Sequence, residues 1–379
     1  MTGKERVMAT FEGREFDKVP IYCAGLSSRI ASHVLGREAF VGHGMQRYRE
    51  SVARWEGTLD EFEERTRTDV LEASEKLDLD LVRPAYWRYA HDPIARIDEN
   101  TFKYGEEDGH WWVSRFDPET ELFQEIDRAP RPEGTIEDVR RAADYAEANA
   151  ETAQSPSPDS FKDLQVAIEY YGEERAIPGS GTGVAILRER HWLEAMALEP
   201  DTVRRYLVAR AKINCKTIPV MAQMGLKILF GGGDFAGKNG PLYGPKAFHH
   251  CMLPALQIVS KCCDEHDVWH FFASDGNLWP VAEDLFGNSG VQGFYEIDRR
   301  CEMDLEVIRD TFPHLKLCGG IASETLHQGT VEDVVAETRS ALEVARRRGQ
   351  IVVGISNQVV PATPLENFDA MMETLHEQP

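Results

Sequence analysis

Short runs dense in β-branched and aromatic residues recur along the chain, each ending in Gly, Asp or Ser and leading into a longer stretch whose apolar positions carry helical spacing. In the C-terminal half, 226–230 (LKILF) runs into GGGD, 268–272 (VWHFF) into ASDG, and 291–295 (VQGFY) leads to Glu296 and Asp298. Likewise 314–317 (HLKL) meets CGG, and 350–353 (QIVV) meets GISN. Between such runs lie amphipathic stretches. In 331–348, Val331, Val334, Val335, Thr338, Leu342 and Ala345 mark one face while charges fill the other. Five strand–helix units in series predict a parallel sheet. The N-terminal half adds three candidates, 18–22 (KVPIY), 80–85 (DLVRPA) and 175–179 (RAIPG). The total is eight, which predicts an α/β fold of the (β/α)8 TIM-barrel kind.

About 90 residues separate the second candidate strand from the third, too many for one crossover helix. Segments 94–104 and 110–116 alternate and are joined across GEEDG, which predicts a β-hairpin. A Pro-rich, charged connector (129–134), a helix (135–152) and an SPSPDS loop (155–160) leading to another helix follow. The expected organisation is a single barrel domain over 1–379, with 94–160 inserted between its second and third strands near the mouth.

Charge removes whole classes of ligand. Against 42 Lys and Arg stand 64 Asp and Glu, a net charge of −22, which opposes binding to a phosphate backbone. No apolar run approaches the 18 or so residues that span a bilayer, and the opening MTGKER lacks a leader's apolar stretch, so a cytoplasmic protein without membrane contact is expected. The seven cysteines include no CxxC pair, which disfavours a disulfide scaffold or zinc knuckle.

Barrel chemistry sits where strands end in βα loops. The residues there are Arg29 after the first strand, Asp234 after the fourth, Asp275 after the fifth, Glu296 and Asp298 after the sixth, Cys318 after the seventh and Asn357 after the eighth. Carboxylates converging on one mouth raise each other's proton affinity unless they share a proton or a cation, which points to a metal, a protonated carboxyl or a basic substrate. Plainer roles stand beside these: Asp275 and Asp234 as turn formers or caps, His270 as a core residue within its strand, Cys318 as a small side chain beside Gly319. The glycines at 231–233 lack the GxGxxG pattern of a dinucleotide site, and GSGTG at 179–183 lacks the ending of a P-loop.

Three segments together resemble the uroporphyrinogen decarboxylase superfamily, which includes corrinoid-linked methyltransferases: TGKERV with GREFDKVP at the start, GGDFAG with GPLYGP in the centre, and CGGI, GTVEDV and PATPLEN at the end. The resemblance implies a (β/α)8 barrel. It also shows two departures. Where the porphyrinogen decarboxylases carry two arginines in an RQAGR segment, 25–29 here keeps only Arg29; their catalytic aspartate falls near Trp87 and their late histidine on Asn357. Where the zinc-dependent thiol methyltransferases carry a His-x-Cys pair and a later Cys, this chain has Ala273, Asp275 and Asn357. The remaining group shares the SDGN segment of 274–277, and its likeness implies a methyltransferase that moves a methyl group between a small-molecule O-, N- or S-methyl donor and a corrinoid protein. On that reading the corrinoid (cobalamin) arrives with the partner protein. Asp275 and Glu296 are the candidate proton donors, Asn357 and Arg29 orient the substrate, Asp234 borders it, and Tyr22, Trp87, Trp279 and Tyr295 form apolar walls. A divalent metal such as zinc would draw on Glu296, Asp275, His270 or Cys318. The alternatives are a decarboxylase of a uroporphyrinogen-like or other carboxylated substrate, and a barrel that binds a ligand without turnover. Homo-oligomerisation is left open.

Overall fold

The computed structural model describes residues 1–378. In chain order its strands are β1 (Ile21–Tyr22), β2 (Ala95–Asp98), β3 (Thr101–Gly105), β4 (Trp111–Asp117), β5 (Leu122–Arg128), β6 (Ile228–Gly232), β7 (Ala236–Gly237), β8 (Gly240–Pro241), β9 (Trp269–Ala273), β10 (Gly293–Tyr295), β11 (Lys316–Ile321) and β12 (Ile351–Ile355). Six of them make one curled parallel sheet in the order β1-β12-β11-β10-β9-β6. Every residue of β9 and β12 is buried, as expected of strands covered on both faces, which is why they read as unbroken apolar runs. Helices Leu253–Glu265, Leu305–Thr311 and Val331–Arg348 fall between successive strands, and Leu365–His376 follows the last.

The second and third expected strands shrink to single contacts. Parallel bridges join Tyr22 to Leu81, Leu81 to Ala176 and Gly179 to Leu229, so both edges of the sheet, β1 and β6, have a neighbour. Pro84 and Pro178 explain the brevity: each lacks the N–H that would carry the ladder onward.

Side chains on the inner face pack ring to ring. Phe230 stacks on Tyr295 with centroids 4.1 Å apart and meets Phe271 at 5.5 Å. The first helix, Gly3–Phe11, begins with a capping box at Thr2 and delivers Phe11 to Phe271 (5.3 Å) and edge-on to Trp269 (5.8 Å). Arg6 anchors that helix by bonding both Asp17 (2.6 Å) and the buried Asp80. Strands β1 and β12 approach so closely that a Cβ on Gly354 would lie 2.0 Å from the Tyr22 carbonyl oxygen.

The insertion is larger than a hairpin. The turn at 105–109 joins β3 to β4 as expected, but 94–104 is two strands, and β5 completes a four-stranded antiparallel sheet ordered β2-β3-β4-β5. Asp98 accepts the Asn100 amide (2.9 Å), making the tight turn that splits the first segment. A small separate core of Tyr48, Phe102, Tyr104, Phe116 and Phe123 holds this sheet to helix His43–Glu56, with Tyr48 stacked on Phe116 at 4.4 Å. At the β4–β5 turn, the Glu121 carboxylate accepts the amides of Ser28 (2.7 Å) and Arg29 (2.8 Å), pinning the insertion to the start of helix Ser28–Leu35. The expected helix is present as Ile136–Thr152, capped by Thr135, and the loop after it leads to helix Lys162–Tyr171. Among the described residues no helix is long and apolar enough to cross a membrane.

Candidate active site

Asp234, Asp275 and Glu296 come from the loops after β6, β9 and β10, and one carboxylate oxygen of each lies within 4.8 Å of those of the other two. Backbone geometry sets this convergence. Gly276 has φ +92°, and a Cβ there would stand 2.5 Å from the Ala236 carbonyl carbon, so only glycine lets the β9 loop press against the β7–β8 turn. Asn277 then donates its amide to the Gly237 carbonyl (3.0 Å). Asp275 gives its amide to Asp234 Oδ1 (3.1 Å), and Gly276 gives its amide to Asp298 Oδ2 (3.2 Å). Glu296 holds φ +64°, a left-handed conformation that costs a non-glycine residue about 1–2 kcal/mol. Strain of this kind persists where packing imposes it, commonly at functional sites.

Crowding and burial change the acids' chemistry. Burial, then the charges of Asp234 and Asp298, push the Asp275 carboxyl up to about 6, against the pull of the Asn357 hydrogen bond. Burial pushes Glu296 up to about 7; Arg83 opposes the rise, while Asp275 and Asp234 add to it. Asn357 Nδ2 donates to Asp275 Oδ2 at 2.7 Å, so the residue after β12 reaches the acid after β9. Such an arrangement can hold a proton near neutrality and give it up to a neighbouring heteroatom.

Other expected residues take different positions. The Arg29 guanidinium donates through Nη1 to the carbonyls of Pro361 (2.7 Å) and Thr363 (2.9 Å), so it braces the C-terminal loop. Trp279 gives its indole N–H to the Glu302 carbonyl (2.9 Å) and packs on Phe312. Trp87 sits edge-on to His43 at 5.0 Å and borders, with Arg83, a small void of about 30 Å³. Tyr295 lies on the inner face of the sheet, donating its hydroxyl to the Gly231 carbonyl (2.9 Å), and the fully buried Tyr22 hydroxyl has no partner among the described residues.

Two metal candidates stand apart from the acids. His270 faces away from the inner rings of β9, its Nδ1 2.8 Å from the Ser260 hydroxyl on helix Leu253–Glu265, and burial lowers its proton affinity to about 3. Cys318 lies within β11 and not after it, because Gly319 and Gly320 continue the pairing with β12; burial raises its thiol well above the ordinary range. Asp234, read from the sequence as a substrate contact, lies with Asp275 and Glu296. The three supply only oxygen donors, which suit a hard cation and not a thiolate-held zinc.

Sequence reasoning passed over Arg83 and Arg188. Arg83 Nη1 stands 3.8 Å from Glu296, and Arg188 Nη2 3.7 Å from Asp234. An arginine directly before Pro84, at the point where strand pairing must stop, was the available signal for the first.

A curled parallel sheet carrying its acids on the loops after consecutive strands defines the class: an α/β protein of the barrel type with its polar cluster at the strand ends. A model of the uroporphyrinogen decarboxylase (URO-D) family matches residues 187–378, and the chain belongs to that family. Among solved structures it is similar to a methyltransferase from Methanosarcina mazei, at 17% identity and a TM-score of 0.65 over 100% of this chain and 99% of that one. A candidate vitamin-B12-independent methionine synthase from Listeria monocytogenes aligns at 14% identity and a TM-score of 0.47, covering 95% of this chain and 97% of that one. No curated protein matches the chain.

Proposed function

We propose that this protein is a methyltransferase that takes a methyl group from a small-molecule O-, N- or S-methyl donor and passes it to the corrinoid of a partner protein. The observation that carries the reading is the Asp275–Glu296 pair, two carboxyls whose proton affinities of about 6 and about 7 lie near neutrality in one cluster. Removing a methyl group leaves a heteroatom that must be protonated, and a carboxyl kept neutral by burial is suited to supply that proton. Glu296, held in its left-handed backbone conformation beside Arg83, is the one tested below. Asn357 fixes the orientation of Asp275 through its 2.7 Å hydrogen bond, leaving the other oxygen for substrate or for the shared proton. The inner rings of Phe230 and Tyr295 limit water below the reacting groups.

The fold part of the proposal is a closed eight-unit barrel, supported by the bridges that run from β1 through Leu81 and Ala176, and from Gly179 to β6. The residues that would hold a divalent cation are Asp234, Asp275 and Glu296, where it would act as a Lewis acid toward the leaving heteroatom. The purified chain, mixed with a reduced corrinoid carrier and a panel of O-, N- and S-methyl compounds, is expected to demethylate at least one of them and to lose that activity in Glu296→Gln. Absence of transfer from every donor overturns the reading. Decarboxylation is the second reading, favoured by Arg83 beside the acids, and release of labelled CO2 from a carboxylated substrate without methyl transfer would select it.

A further inference from the structure

A cavity of about 550 Å³ opens at the strand ends, between barrel residues such as Arg83, Gly179 and Phe230 and the segment returning from the insertion, Phe161 and Lys162. Most charges around it are already matched. Arg67 bonds Asp163 (2.6 Å) and Glu63 (2.8 Å), and Arg88 bonds Glu63 (2.6 Å) and Glu50 (3.1 Å). Two cations keep free donors. Among the described residues Arg83 makes no hydrogen bond; it pairs only loosely with Glu296, at 3.8 Å, and its guanidinium lies over Phe230 (5.9 Å) and Tyr295 (5.7 Å). Lys162 makes no ion pair among the described residues, in a chain with 64 acids against 42 bases.

A guanidinium resting on aromatic faces without an acid on its fork is arranged to bind a planar anion in two-point fashion. We propose that this cavity binds its substrate through a carboxylate on Arg83, with Lys162 adding positive charge from the insertion side and the substrate's body lying against Phe161, Tyr86 and Phe230. The inference rests on taking the mouth as the substrate site and names the substrate class: a small, flat monocarboxylate. Both cations lie outside residues 187–378, so the specificity belongs to the part of the chain that the family model does not match.

Isothermal titration calorimetry on the full chain tests it, with benzoate, 4-methoxybenzoate, the two corresponding amides and inorganic phosphate as probes. At least one acid is expected to bind about tenfold or more tightly than its amide, since a hydrogen-bonded charge pair is lost in the amide. Arg83→Gln should weaken the acid far more than the amide and so erase that preference, Arg83→Lys should restore part of it, and Lys162→Gln should weaken the acid less. Equal binding of acid and amide, a preference that survives Arg83→Gln, binding of phosphate alone, or no binding of either acid each overturns the inference. The acid–amide comparison in the unaltered chain and the exposed Lys162 variant keep the test open if Arg83→Gln fails to fold. Because binding is read without turnover, missing methyl transfer would sink the proposed reaction and leave this site standing.

Discussion

Replacing Glu296 by Gln should stabilise the protein at alkaline pH while abolishing its activity. Folding raises this carboxyl from the ordinary 4.5 to about 7, so between those values the folded state holds a proton that the unfolded chain has released. Stability therefore falls as pH rises from about 4.5 to about 7 and is level above that. At about 1.4 kcal/mol per pH unit the full loss is about 3 kcal/mol, an upper bound because the cluster can relax or take up a counterion. Gln keeps the shape and removes the titration, so at pH 8 Glu296→Gln should be more stable by about 1–3 kcal/mol, with the advantage shrinking as pH approaches 5. Urea unfolding at pH 8, 6.5 and 5, followed by tryptophan fluorescence, reads the difference directly. A variant no more stable at pH 8, or a gap that does not narrow on acidification, would refute the argument that burial and crowding hold this acid protonated.

Three further outcomes follow from individual contacts. Asn357→Leu removes the donor that favours ionised Asp275, so the Asp275 carboxyl should climb above about 6 and the corresponding limb of the pH–rate profile should move to higher pH. Arg29→Met frees the carbonyls of Pro361 and Thr363; a stability loss of about 1–2 kcal/mol with unchanged substrate affinity is expected, whereas a weaker KM at equal stability would place Arg29 at the substrate after all. Glu121→Ala unpins the insertion, and hydrogen exchange should accelerate at the Ser28 and Arg29 amides while those of Trp269–Ala273 stay protected.

The parallel sheet was legible because buried strands such as 268–272 are short, apolar and bounded by Gly or Asp, and the convergence of Asp234, Asp275 and Glu296 followed from placing loops at strand ends. What escaped the reading has physical causes. In β5 only Phe123 is buried, so no alternation marks it, and its place is set by pairing with β4. The turn that Asp98 makes lies in DEN (98–100), which holds no glycine or proline to mark the break between β2 and β3. Arg83 was absorbed into a strand candidate whose pairing stops before Pro84. Cys318 was placed beyond its strand because Gly319 and Gly320 read as a break, although both pair with β12. The direction of Arg29 depends on carbonyls more than 300 residues away, which no local pattern encodes.

The two halves of the mouth have different origins in the chain, and this bears on how the proposed enzyme would change substrate. Asp234, Asp275, Glu296 and Asn357 all lie within the segment matched by the family model, whereas Arg83, Lys162 and the Glu121 pin lie before it. On the proposed reading the first group handles the proton and the second selects the molecule that receives it. They meet at one contact, Arg83 at 3.8 Å from Glu296, too long for a hydrogen bond and close enough for their charges to interact. An anion arriving at Arg83 would compete for the charge that now favours ionised Glu296, so a bound carboxylate should strengthen that acid's hold on its proton. Substrate selection and readiness of the acid would then be linked through a single guanidinium, and changing Arg83 and Lys162, both before residue 187, would alter which molecules are accepted while leaving the carboxylate cluster intact.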